Sequence, residues 1–167
     1  MALFFRRPLR RWTGPGNGER IVCLAVWTVM KDVPPSKLED AEDVAEVWPD
    51  MNDRIFMASL GEDYAEPRSQ AIKDSAVNGI YVLELLAVYP AYRHIIGAGT
   101  ALVTWGTQAA DTLHVKAVVE GTLAGRRLYE NCGFVIEADK IFFQHAEKFP
   151  ARPKPKLIFM VRKPVAY

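Results

Sequence analysis

The residues of this chain that could do chemistry are few, and most fall close together. Residues 79 to 106 read GIYVLELLAVYPAYRHIIGAGTALVTWG, where a single acid, Glu84, stands inside an apolar run closed by Pro90. A carboxylate in such a run must be paired, neutralised or used. Used, Glu84 is a general base working through water; unused, it is a sheet-surface carboxylate hydrogen-bonded to a neighbouring strand. Glu120, at the end of the next apolar run, is a second candidate. Downstream of Glu84 come Arg93-His94 and then Gly97-Ala98-Gly99. Glycines at the start of a helix let an anion approach the first-turn N–H groups, which have no intrahelical partner and lie at the positive end of the helix dipole. A tight turn with no ligand is the alternative. Two familiar phosphate loops do not fit, because Leu102 stands where G-x-G-x-x-G needs its last glycine and no Gly-Lys-Ser/Thr follows. Cys23 and Cys132 form no C-x-x-C, and His94, His114 and His145 are scattered, so no metal is expected and Cys132 reads as a packing residue.

These residues need elements to hold them. Residues 80 to 88, rich in β-branched and aromatic side chains, read as a buried strand. Ala98, Ala101, Leu102, Trp105 and Ala109 recur at helical spacing, which predicts a helix from Thr100 to about Ala110. Residues 115 to 120, 134 to 143 and 157 to 162 read as further strands, and residues 21 to 30 as a strand apolar on both faces. Between them, Pro34-Pro35 breaks the chain and Ser36 to Glu39 form a capping box that opens a helix running to Trp48. Ile55, Phe56 and Leu60 suggest a short helix before Gly61, and the polar residues 61 to 78, with Pro67, read as a mobile loop able to act as a lid. Residues 144 to 156 read as a surface loop. The order of elements predicts an α/β domain, a mixed central sheet with helices on both faces.

The whole chain sets outer bounds. Its 167 residues, 50% hydrophobic and 25% charged, suit one soluble domain, taken as residues 19 to 167 behind a flexible basic N-terminus of residues 1 to 18. A net charge of +1 gives no electrostatic case for nucleic acid. The first five residues are too short to enter a membrane, and a cytoplasmic, reducing location is expected. The arginines of the N-terminus also allow a mitochondrial leader, although no serine accompanies them and Pro8 interrupts the helix such a leader needs.

A second stretch, GTLAGRRLYENCGF at residues 121 to 134, joins the first to carry a resemblance. The strand LELLAV ending before Pro90, the glycines of GAG, the helix ALVTWGTQAAD and the signature AGRRLYENCGF together resemble the GNAT family of N-acetyltransferases, most of all its fungal small-molecule-type members. The resemblance covers roughly residues 79 to 143 and implies acyl transfer from acetyl-CoA, as cosubstrate, to the amine of a small-molecule acceptor. It implies that the backbone of Leu86, Ala87 and Val88 pairs with the pantetheine arm. It also implies that Ile95, Ile96, Gly97, Ala98, Gly99 and Thr100 hold the pyrophosphate beside Arg93 or His94, with Thr122 joining the cofactor set. Tyr129 falls where the family places the tyrosine that protonates the departing thiolate, Glu84 is the candidate base, and Leu128 and Phe134 are packing residues. Gly133 reads as the left-handed cap of the short helix. In this family a first strand and two helices precede the strand of residues 21 to 30; here they read as reduced or missing. Cover for that strand is then expected from residues 34 to 78 or from a second subunit in a homodimer. The acidic face of the helix after Ser36 is either a solvated surface or an attractor for a cationic acceptor. The alternative to an enzyme is a degenerate domain that keeps the fold for binding or assembly.

Overall fold

The computed structural model describes residues 22–32, 47–75, 78–92, 97–138, 141 and 143–165. The expected helix after Ser36, the basic N-terminus and Arg93 to Ile96 lie outside these residues, Val47 and Trp48 excepted. Five strands form one mixed sheet: β1 (Cys23–Met30), β2 (Ile80–Val88), β3 (Lys116–Thr122), β4 (Val135–Ala138) and β5 (Leu157–Arg162), in the order β1-β2-β3-β5-β4. Only β2 and β3 run parallel, joined by the helix α2 (Ala98–Leu113); the other pairings are antiparallel.

Alternation along the strands sends side chains to two separate cores, as a sheet covered on both faces requires. On one face Tyr81, Leu83, Ala117, Val119, Ile158 and Met160 pack with Val103 and Ala110 of α2 and with Tyr129 of the short helix α3 (Arg126–Asn131). Trp27 belongs to this core and stacks on Tyr81, ring centroids 5.0 Å apart. Across the sheet Ile80, Val82, Val118, Phe159 and Val161 pack with Ala71 and Ile72 of the long helix α1 (Met51–Lys73). The structure is therefore the mixed α/β sheet with helices on both faces that the sequence predicts.

Three local expectations change. Residues 61 to 73, expected within a loop, are helical: α1 runs unbroken through Gly61 and Pro67 to Lys73, capped by Asp50, whose side chain accepts from the Asn52 N–H at 2.6 Å. Its inward positions include polar side chains, Ser59, Asp63 and Arg68, which hide the helical stripe from a reading based on apolar residues. Of the strand expected over 134 to 143, the described residues form Val135–Ala138, whose pairing with β5 shifts between Ile136 and Ala138; residues 139, 140 and 142 lie outside the described residues. β1 is not buried along its length; Cys23 and Trp27 are, while Leu24 is 41% exposed.

Candidate active site

The parallel pairing of β2 with β3 is short. It runs through Ile80↔Lys116, Tyr81↔Ala117 and Val82↔Val118 and then stops, although both strands continue. On the other edge of β2 the register slips, with Val26 opposite Leu85 and Trp27 opposite Leu83, so that Glu84 is an extra residue in a β-bulge. From Ile80 to Leu83 the strand is buried, and from Glu84 onward it opens to solvent. Beyond Val82 and Val118 the two strands stand apart, with backbone not used in their mutual ladder.

Helix α2 begins beside this opening. Gly97 is its N-cap, held at φ +60, and has no side chain to bond the first-turn N–H groups; its carbonyl accepts from the Ala101 N–H at 2.9 Å. A Cβ on Gly97 would meet no atom of a described residue within 4 Å, so among these residues it faces open space. That space belongs to a cleft of about 650 Å³ lined by Leu86, Ala87 and Val88 of β2, by Gly97 to Thr100 at the start of α2, by Thr122, and by Leu128 and Tyr129 of α3. The eight described residues that the sequence assigned to the cofactor thus share one cleft with Tyr129. Tyr92, Ala124 and Gly125 also line it, and no sequence signal singled them out.

The Tyr129 ring reaches this position through two close approaches. A Cβ on Gly121 would lie 2.7 Å from Tyr129 Cε2, and one on Gly125 would lie 2.9 Å from the same atom, so glycine is required at both. Phe134 meets the ring edge-on at 6.0 Å, and Gly133, at φ +87, reverses the chain between them in the left-handed conformation expected of it. The phenol makes no hydrogen bond to a described residue, and burial, followed by the neighbouring Cys132, pushes its pKa upward. Cys132 itself contacts Thr104 at 3.9 Å and, with its pKa raised by burial, remains a thiol.

Glu84 and Glu120 are not isolated carboxylates. Arg68 of α1 donates from Nε and Nη2 to the two oxygens of Glu120, at 2.6 and 2.8 Å, and from Nη1 to Oε1 of Glu84 at 3.0 Å. The side chain of Glu120 is fully buried, that of Arg68 is 10% exposed and that of Glu84 is 30% exposed. Burial works against the guanidinium's charge, but the hydrogen bond and charge of Glu120, aided by Glu84, raise its pKa above the ordinary arginine value. Tyr64, one turn back on α1, lies with its ring 5.1 Å from the guanidinium carbon; its pKa is pushed up to about 12 by burial first and then by Glu120. Sequence reasoning missed Arg68, whose partners are 16 and 52 residues away. The Glu84 carboxylate is accordingly one of two that share Arg68, at a bulge, and not a lone acid inside an apolar strand.

No family model matches the chain, and no curated protein matches it. Among solved structures it is similar to one described as "putative N-acetyltransferase from Lactobacillus plantarum", at 20% identity and a TM-score of 0.42 over 54% of this chain and 55% of that one. The match thus spans about half the length of each chain. Among the described residues no cluster of His, Cys, Asp or Glu is arranged to hold a metal ion, and no helix is long and apolar enough to cross a membrane.

Proposed function

We propose that this chain is an acyl-CoA-dependent N-acetyltransferase of GNAT type acting on a small amine. The observation that carries this reading is the cleft, which brings together a stretch of β2 paired with β1 but not with β3, the N-terminus of α2 and the phenol of Tyr129 where two parallel strands part. Those residues fit the cosubstrate. The first-turn N–H groups of Ala98, Gly99 and Thr100 suit a pyrophosphate, and the absence of a side chain at Gly97 leaves room for it. The backbone of Leu86 to Val88, freed from β3, offers a pantetheine arm the hydrogen bonds of an added strand.

In the transfer, the amine nitrogen bonds to the thioester carbonyl carbon, the carbon–sulfur bond breaks, the nitrogen loses a proton and the sulfur gains one. Tyr129 is the donor to the sulfur. Glu84 stands on the far side of the parting, with Oε1 held by Arg68 and Oε2 bonded to no described residue, and it takes the amine proton through water. The acceptor amine then approaches from the α1 face while the cosubstrate occupies the α2 face.

Calorimetric titration with acetyl-CoA tests the reading. Saturable binding to a single site, competed by free coenzyme A, is the expected result. Absence of binding defeats it, and binding without turnover across a broad panel of amines moves the chain to the degenerate alternative, a domain that retains the cleft for binding or assembly.

A further inference from the structure

Glu84 and Glu120 occupy related places. The last paired residues are Val82 and Val118, and each glutamate stands two positions further along its own strand. Had the ladder continued in register, two like charges would face one another across it, an arrangement that destabilises a strand pair. Arg68 lies between them instead. Its planar fork uses two donors on one strand's carboxylate and one on the other's, tying β2 to β3 by side chains at the position where the backbone ladder ends. Lysine has donors enough for two carboxylates but no planar fork, so it could not hold Glu120 through two parallel bonds while reaching Glu84.

We propose that Arg68 is a positioning residue that sets the spacing of β2 and β3 where they part, and with it the fit of the gap to the pantetheine arm. The proposal rests on the acyl-CoA reading above. It assigns Arg68 no contact with the cosubstrate; the residue acts through Glu84 and Glu120. Their hold on the two strands fixes the distance between the backbone of Leu85 to Val88 and the backbone of Val119 to Thr122. The consequence is specific to one part of the ligand. The nucleotide half of coenzyme A would rest on the start of α2 and be indifferent to Arg68, whereas the arm would lie in the gap.

Two variants test this. Arg68→Met combined with Glu120→Gln removes the buried pair together and leaves no uncompensated buried charge, and Arg68→Lys keeps the charge while losing the planar fork that holds Glu120 by two bonds and reaches Glu84. Folding is checked by circular dichroism and thermal melting, and the lysine variant carries the test if the double variant does not fold. Each folded protein is titrated with acetyl-CoA and, separately, with the nucleotide half lacking the pantetheine arm. Acetyl-CoA affinity should fall by about tenfold or more, the scale of loss expected from a misplaced binding wall, while affinity for the nucleotide half stays at the parent's value. If a folded variant keeps the parent's acetyl-CoA affinity, or loses affinity for both ligands equally, Arg68 does not set the gap and the acyl-CoA reading survives unharmed. A parent that binds neither ligand overturns that reading and takes this inference with it.

Discussion

Replacing Tyr129 by phenylalanine separates a proton donor from a packing residue more sharply here than in most sites. The ring is wedged against Gly121 and Gly125 and meets Phe134 edge-on, and phenylalanine preserves all of those contacts. The hydroxyl makes no hydrogen bond to a described residue, so the loss of about 1 kcal/mol that follows removal of a bonded hydroxyl does not apply. Stability should change by no more than about 0.5 kcal/mol, seen as a nearly unmoved melting temperature. Acetyl-CoA affinity should also hold, because the phenol is not part of the cradle. Turnover is the quantity expected to move. Loss of one general acid, with water partly substituting, lowers it by roughly tenfold to a thousandfold, or about 1.4 to 4 kcal/mol on the barrier. The raised pKa fixes the pH behaviour as well: the phenol stays protonated up to its ordinary value of 10.0 and beyond, so its ionisation removes no activity below pH 10. The assay needs an acceptor, found by screening small amines for thiol release with the parent protein. Gly121→Ala serves as a companion, since its Cβ would displace the ring and should lower turnover even though the hydroxyl remains. Full turnover in Tyr129→Phe, with an acceptor that the parent uses well, would refute the donor role.

Other substitutions probe the cradle and the core. Gly97→Asn puts a side chain into the open space beside the helix start while tolerating φ +60 better than other residues; it should weaken acetyl-CoA binding by about tenfold or more in calorimetry, with the fold intact. Gly106→Ala runs against the usual gain from replacing a helical glycine, because the new Cβ would lie 2.0 Å from Trp27 Cε2; denaturant unfolding should show a loss of about 1 to 3 kcal/mol. Asp111 accepts two bonds from Arg162, at 2.7 and 2.8 Å, and one from the Val165 N–H, and the Arg162 hydrogen bond holds its pKa below the ordinary 3.8. A depressed carboxylate stabilises the fold above its unfolded pKa and loses that contribution as pH falls through the folded value. Melting curves from pH 7 down to pH 2 should therefore lose this part of the stability below about pH 4, and Asp111→Asn should remove that part of the acid dependence, at a cost of about 3 kcal/mol at neutral pH.

How far the sequence spoke for the fold depends on what each element buries. β2, β3 and β5 bury runs of Val, Ile, Leu and Phe on one or both faces, and α2 carries a stripe of Ala, Leu and Val, so apolar pattern alone outlines them. α1 lacks that legibility because its inward face is half polar. Ser59 bonds its own helix at the Ile55 carbonyl, Asp63 accepts the backbone N–H groups of His145 and Ala146, and Arg68 serves two strands. Each of those side chains is satisfied by a partner remote in sequence or by local backbone, and no periodicity records such a partner. Pro67 hides α1 further, since a proline among charged residues ordinarily ends a helix. In the site, the cleft residues were legible because glycines and a tyrosine at fixed offsets form a local pattern, whereas the environment of Glu84 was not, because its partner arrives from α1.

The acid in the apolar run marks more than a candidate base. A glutamate two residues past the last ladder pair on each strand makes continued parallel pairing costly, and the bulge at Glu84 turns β2 away at the same point. The parting of the strands is thus written into the side chains, not left to the ligand. Backbone groups freed on β2 then lie beside the helix start at Gly97, which supplies its own unpaired donors, and both face one cleft. Opening the sheet would leave the buried Glu120 and the partly exposed Glu84 facing one another if nothing intervened, and Arg68 is the side chain that intervenes. The burial of Arg68 on α1 and the short pairing of β2 with β3 therefore have one cause: a sheet opened at one edge of its parallel pair must compensate with side chains for the ladder it gives up.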